Sequence, residues 1–120
     1  MELPEIVIYK KDQYFNQRYQ TTFKILGEIS QLCRNDLHTK FLLCIIPERI
    51  QVDKKFLNII VGSYNVNPEE YNWLQPQKAL IRFCLDNNIQ YIDLTPDFIK
   101  FDGRQKLYYE IDPHWNKDGH

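Results

Sequence analysis

Asp112 and His114, one residue apart near the C-terminus, are the two side chains whose types and spacing suit them to joint chemistry. A carboxylate beside an imidazole can hold one tautomer through Nδ1 and stabilise the imidazolium that forms when Nε2 takes a proton. Histidine is also the side chain best suited to moving a proton near neutral pH. Pro113 between them fixes its own φ and biases Asp112 toward extended backbone, which restricts how the pair is arranged. Alone, an Asp-x-His tripeptide is weak evidence. The same residues also read as a loop in which the Asp caps a helix opening at Trp115 and His114 is an exposed turn residue.

Other reactive constellations are thinner. Asp112, His114, Asp118 and His120 gather hard and borderline metal ligands within nine residues, the donor set of a metal-dependent hydrolase. No His-Glu-x-x-His helix accompanies them, and His38, in Asp36-Leu37-His38-Thr39, reads as a surface loop residue. Trp73, Tyr64 and Tyr71 offer either an aromatic platform for a sugar, in a non-catalytic interaction domain, or a small satellite core. A nucleophile is not visible: Ser30 lies on a long helix just off its apolar stripe, Ser63 follows Gly62 at a helix end, and neither sits in a strand-to-helix nucleophile turn. Cys33, Cys44 and Cys84 lie far apart in apolar or helical stretches, without the close pairs of zinc or redox sites, and read as buried small hydrophobes.

The elements that must position Asp112 and His114 follow from hydrophobic period. Phe15, Tyr19, Thr22, Leu26, Ile29 and Cys33 put one stripe on a helix from Tyr14 to Arg34. Phe41 to Ile46 is an uninterrupted apolar run ended by Pro47, the pattern of a strand buried on both faces of a parallel sheet. A short helix is predicted over Lys54 to Val61, stopped by Gly62. An irregular connection follows over Ser63 to Gln75, with one turn at Pro68 to Tyr71. A further helix runs from Pro76 to Asn87-Asn88, and a second inner strand covers Ile89 to Leu94. Thr95-Pro96-Asp97 ends that strand, Phe98 to Phe101 makes one turn, and Ile6 to Tyr9 is short for an added strand. Helix, loop and apolar strand thus occur twice, the grammar of an α/β fold with a parallel sheet and helical crossovers.

The chain of 120 residues fits one domain, 1–120, short for a complete α/β enzyme. Fifteen basic against sixteen acidic residues, a net charge of -1, supply no electrostatic reason to seek nucleic acid or anionic membrane. The apolar patch Ile6 to Tyr9 is too short for a signal-peptide core or a membrane span. No cofactor is implied.

The longer string Tyr108 to His120, with Asp112-Pro113-His114-Trp115-Asn116 and then Gly119-His120, resembles the C-terminal block of SGNH/GDSL-type hydrolases, in the Asp-x-His-Trp-Asn branch that includes polysaccharide O-acetyltransferases. In those relatives the Asp and the His are members of a Ser-His-Asp triad, and the block opens a final helix. The resemblance implies a flavodoxin-like three-layer fold and ester hydrolysis or acyl transfer on a small-molecule or carbohydrate ester, with Asp112 and His114 as catalytic residues. The turn Ile46-Pro47 and the order of elements match more loosely from Phe15 onward. Many family members place two residues between Asp and His; here there is one. The family's Gly-Asp-Ser nucleophile block and Asn-bearing oxyanion block are absent, so the chain reads as the C-terminal part of a larger catalytic domain.

Overall fold

The computed structural model describes residues 4–11, 17–102, 106–110 and 114–120. A 3-10 helix at Pro4–Tyr9 leads to α1 (Gln17–Asn35), β1 (Leu42–Ile45), α2 (Arg49–Val52), α3 (Lys54–Ser63), a 3-10 turn at Pro68–Glu70, α4 (Gln75–Asp86), β2 (Gln90–Asp93) and α5 (Thr95–Asp102). The two strands pair in parallel, Leu42 opposite Gln90 through Ile45 opposite Asp93. Leu94 N–H donates to Ile45 O at 3.0 Å and extends the ladder by one bond. The fold is therefore mixed α/β, with a small parallel sheet flanked by helices.

The sheet is not buried on both faces. Residues paired in parallel share a face, so Ile45, Leu43, Tyr91 and Asp93 form the covered side. The other side presents Leu42 (54% exposed), Cys44, Ile46 and Ile92 (46% exposed) to solvent. An uninterrupted apolar run records a hydrophobic strand but not whether both its faces are covered. Of the three cysteines only Cys84 is buried, and its thiol is pushed up by that burial. Cys33 is half-buried and Cys44 lies exposed on the open face, so the reading of all three as core residues is corrected for Cys44.

Helix α1 is also rotated from the stripe that its spacing marks. It meets α4 through Phe23, which stacks on Phe83 with ring centroids 4.8 Å apart. Gly27 adds to this contact, because even an added Cβ there would stand 3.8 Å from the Phe83 ring. The docked line is Tyr19, Phe23, Gly27 and Ser30, while Thr22, Ile25, Ile29 and Leu32 face water. Helical spacing allows either line; the flat ring of Phe83 and the small residue opposite it select the observed one. Residues 14–16, the expected start of this helix, lie outside the described residues.

Helices α3 and α4 end as their asparagines allow. Asn65 and Asn88 adopt positive φ, 50° and 54°. Val66 N–H then reaches Val61 O at 3.0 Å, and Ile89 N–H reaches Cys84 O at 2.8 Å, the left-handed closing motif of a helix. Gly62 thus does not stop α3, which runs to Ser63. The stretch from Thr95 is a helix of two turns, with Pro96 and Asp97 in its first turn and Asp93 Oδ1 accepting from Thr95 N–H at 3.0 Å.

Two apolar clusters flank the carboxyl ends of the strands. Ile6, Tyr9, Ile50 and Tyr71 form one, with Trp73, Phe56, Leu57 and Ile60 packed on it. Val52, Phe98, Leu107 and Tyr108 form the other, with Leu94 and Trp115. Ile6 to Tyr9 enters the first cluster as a 3-10 helix, not as a strand. Asn72 N–H donates to Tyr9 O at 2.7 Å, which ties this N-terminal segment to the aromatic connection.

Candidate functional site

The C-terminal block is a two-armed antiparallel ribbon. Tyr108 pairs with Trp115, Tyr109 N–H donates to His114 O at 3.1 Å, and Asn116 N–H donates to Leu107 O at 2.8 Å. Asn116 locks both arms. Its Nδ2 donates to Lys106 O at 2.7 Å, and its Oδ1 accepts from Asp118 N–H at 2.8 Å and Gly119 N–H at 3.2 Å. Gly119 is where it is because a Cβ there would come within 2.5 Å of Leu107 O and 2.9 Å of Trp115 Cβ. Trp115 packs under the ribbon against Phe98, and its ring lies 4.7 Å from that of His120. Within the described residues, 114–120 is a bridge followed by a turn, so the helix opening at Trp115 that the alternative loop reading expects is not formed there.

Three contacts bring this ribbon to the carboxyl end of β1. Tyr108 hydroxyl donates to Pro47 O at 2.7 Å in a buried bond. Arg49, two residues on, donates from Nη1 to Glu110 O at 2.9 Å and Tyr109 O at 3.2 Å. Its Nε reaches Asp53 Oδ2 at 3.0 Å, and its guanidinium lies 4.4 Å over the Phe56 ring. A planar fork with several donors and a stacking face can meet all of these at once; a lysine cannot. Partial burial pushes the Asp53 carboxyl up, but the Phe56 N–H and Arg49 together outweigh it and hold Asp53 below the usual carboxylate range.

Around this junction sit several further polar groups. Tyr9 hydroxyl donates to Glu48 Oε2 at 2.6 Å. Burial, and then the Glu48 carboxylate, raise the Tyr9 phenol far above its ordinary value. Gln51 and Gln77 exchange amide hydrogen bonds at 2.5 and 2.9 Å, and Gln51 Oε1 also accepts from Glu48 N–H at 2.9 Å. Thr95, at the carboxyl end of β2, is 3% exposed, and its hydroxyl has no hydrogen-bond partner among the described residues.

His114 is exposed at the rim of the ribbon. Asp112, its expected partner, lies outside the described residues, as do Ile111 and Pro113. The serines are elsewhere. Ser30 is buried on α1 and borders a groove with Asn88, Ile89 and Gln90 at the amino end of β2, while Ser63 is exposed at the end of α3. No group of three or more His, Cys, Asp or Glu is placed to hold a metal ion among the described residues. The aromatic trio resolves into a satellite core: Tyr71 is buried and stacks on Trp73 at 5.1 Å, Tyr9 lies 5.6 Å from Trp73, and Tyr64 is exposed apart from them. No helix among the described residues is long and apolar enough to cross a membrane.

Sequence reasoning missed Arg49, Asn116 and Gly119 as the residues that shape the site. Arg49 carried a signal, as the cation that follows a strand-ending Ile-Pro turn. Asn116 and Gly119 carried one only as letters of a longer string. No family model, curated protein or solved structure matches this chain.

Proposed function

We propose that this chain is the C-terminal portion of an SGNH/GDSL-type esterase or O-acyltransferase, with a flavodoxin-like arrangement, and that Asp112 and His114 act as the acid and base of its Ser-His-Asp triad. The observation that carries the reading is the anchoring of the Tyr108–Trp115 ribbon at the carboxyl end of β1, through Tyr108 on Pro47 and Arg49 on Tyr109 and Glu110. Parallel sheets concentrate reactive groups at that end, and His114 is carried on the second arm of the ribbon, where its carbonyl accepts from Tyr109 N–H.

The mechanism is acyl transfer. A serine attacks the ester carbonyl while His114 takes its proton; His114 then returns a proton to the leaving alcohol, and Asp112 orients the imidazole throughout. Water as acceptor gives an esterase and a sugar hydroxyl gives a transferase. Neither Ser30 nor Ser63 lies at the ribbon, and the proposal assigns the nucleophile to a serine outside these 120 residues.

The test is p-nitrophenyl acetate turnover by the protein as its natural transcript encodes it, compared with His114→Ala and Asp112→Asn. Each substitution is expected to lower kcat/KM by about 10³ or more with the melting temperature unchanged. Turnover intact in His114→Ala would remove His114 from the chemistry.

A further inference from the structure

We infer that the cleft between α3, α5 and the first arm of the C-terminal ribbon is a binding site for a small amphipathic anion, an acidic head on an aliphatic body. The cleft has a volume of about 710 Å³, within the range of small-molecule sites, and it stands apart from both serines and from the open sheet face. Its charge is lopsided. Among the described residues, Arg49, Lys54, Lys55 and Lys106 line it, against the single carboxylate of Asp53.

Two of these cations are already matched. Arg49 is held by Asp53 and by the ribbon carbonyls, and Lys106 pairs with Glu110, whose carboxyl it holds below the usual range. Lys54 and Lys55, in the first turn of α3, form no ion pair among the described residues. Their ammonium groups are therefore the pair that an incoming anion would neutralise. The first turn of α3 adds the positive end of a ten-residue helix.

The remainder of the lining is apolar. Val52, Phe56, Ile59, Ile99 and Leu107 face the same space, and Ile59 and Ile99 are among the exposed large hydrophobic residues of the protein. An inorganic anion would leave these side chains wet, and a neutral hydrocarbon would leave two ammonium groups facing an apolar body. An alkyl carboxylate or alkyl phosphate satisfies both halves at once: the head between Lys54 and Lys55, the chain over Ile59, Ile99 and Leu107. The inference does not rest on the hydrolase reading, since it uses no triad role and His114 is not among the residues that line the cleft.

The experiment is a methyl NMR titration of the full chain with octanoate, octyl phosphate and 1-octanol. Saturable shifts at Ile59, Ile99 and Leu107 are expected with both anions, at affinities at least about fivefold above that of 1-octanol; the stronger of the two anions identifies the preferred head. Lys54→Gln/Lys55→Gln should weaken anion binding about five- to tenfold, as expected for loss of two partly exposed charges, and leave 1-octanol and the melting temperature unchanged. His114→Ala should leave binding unaltered, so this result is separable from failure of the triad. Equal affinity for octanoate and 1-octanol, shifts centred on Leu42 and Ile92, or undiminished anion binding in the double variant would each overturn the inference.

Discussion

Tyr9 stands where burial, charge and hydrogen bonding meet in one side chain. It is 1% exposed, and its hydroxyl donates to the Glu48 carboxylate. A phenol so placed is neutral when folded and resists ionisation, since a phenolate would be desolvated beside a carboxylate. Its pKa is raised on folding, so its contribution to stability is fully present below the unfolded value, about 10, and is lost as pH rises beyond it. Alkaline unfolding, followed by circular dichroism, should therefore set in above about pH 10. Tyr9→Phe is expected to flatten that alkaline loss and to cost about 1–3 kcal/mol at neutral pH, because Glu48 loses a charge-assisted donor. An unchanged alkaline profile in Tyr9→Phe would show that other groups carry the transition.

At the scale of elements, the ribbon is the piece whose integrity the functional reading depends on, and Gly119 is its tightest point. A methyl group added there meets the Leu107 carbonyl and Trp115, so the turn must open or Asn116 must release its two N–H donors. Gly119→Ala is expected to destabilise the block by about 1–3 kcal/mol, seen as faster amide exchange at Tyr109 and Asn116 while β1 and β2 keep their protection. Exchange unaltered at both positions would mean that the ribbon tolerates the strain.

The same scale shows how far the sequence was readable. Period and breakers located α1, α3, α4 and both strands, because these signals are local: apolar spacing, Asn87-Asn88 and Pro47. They failed where the deciding partner is distant in the chain. The docked side of α1 depends on Phe83, some sixty residues from Phe23, and the exposure of Leu42 and Cys44 depends on what does or does not cover them. Ile6 to Tyr9 is apolar enough for a strand, yet it is a 3-10 helix, tied at its end by Asn72 N–H on Tyr9 O to a segment some sixty residues on. The helix at Thr95 was missed although its signal is local: Thr95-Pro96-Asp97, read as a strand end followed by one turn, is equally good as a helix start. Of the candidate site, the block was legible as letters, and its anchoring through Arg49 was not, since that requires α2 and the ribbon to be neighbours.

Over the whole molecule, the protein is wider and wetter than a closed monomer of its mass. It exposes 8553 Å² of surface, against about 6,900 Å² for a folded monomer of this size. Its radius of gyration is 16.0 Å, against about 14 Å for a compact chain of this length. Two apolar surfaces lie open on it, the sheet face of Leu42, Cys44, Ile46 and Ile92 and the outer stripe of α1 at Ile25, Ile29 and Leu32. Both are what a parallel sheet and its helix present when further layers are not packed on them. The proposed triad takes its serine from polypeptide beyond these residues.

That claim is tested most directly by labelling the naturally encoded protein with a fluorophosphonate probe and locating the adduct by mass spectrometry. The account predicts a single labelled serine outside residues 1–120, with labelling lost in His114→Ala. No adduct, an adduct on Ser30 or Ser63, or labelling that survives the loss of His114 would contradict it.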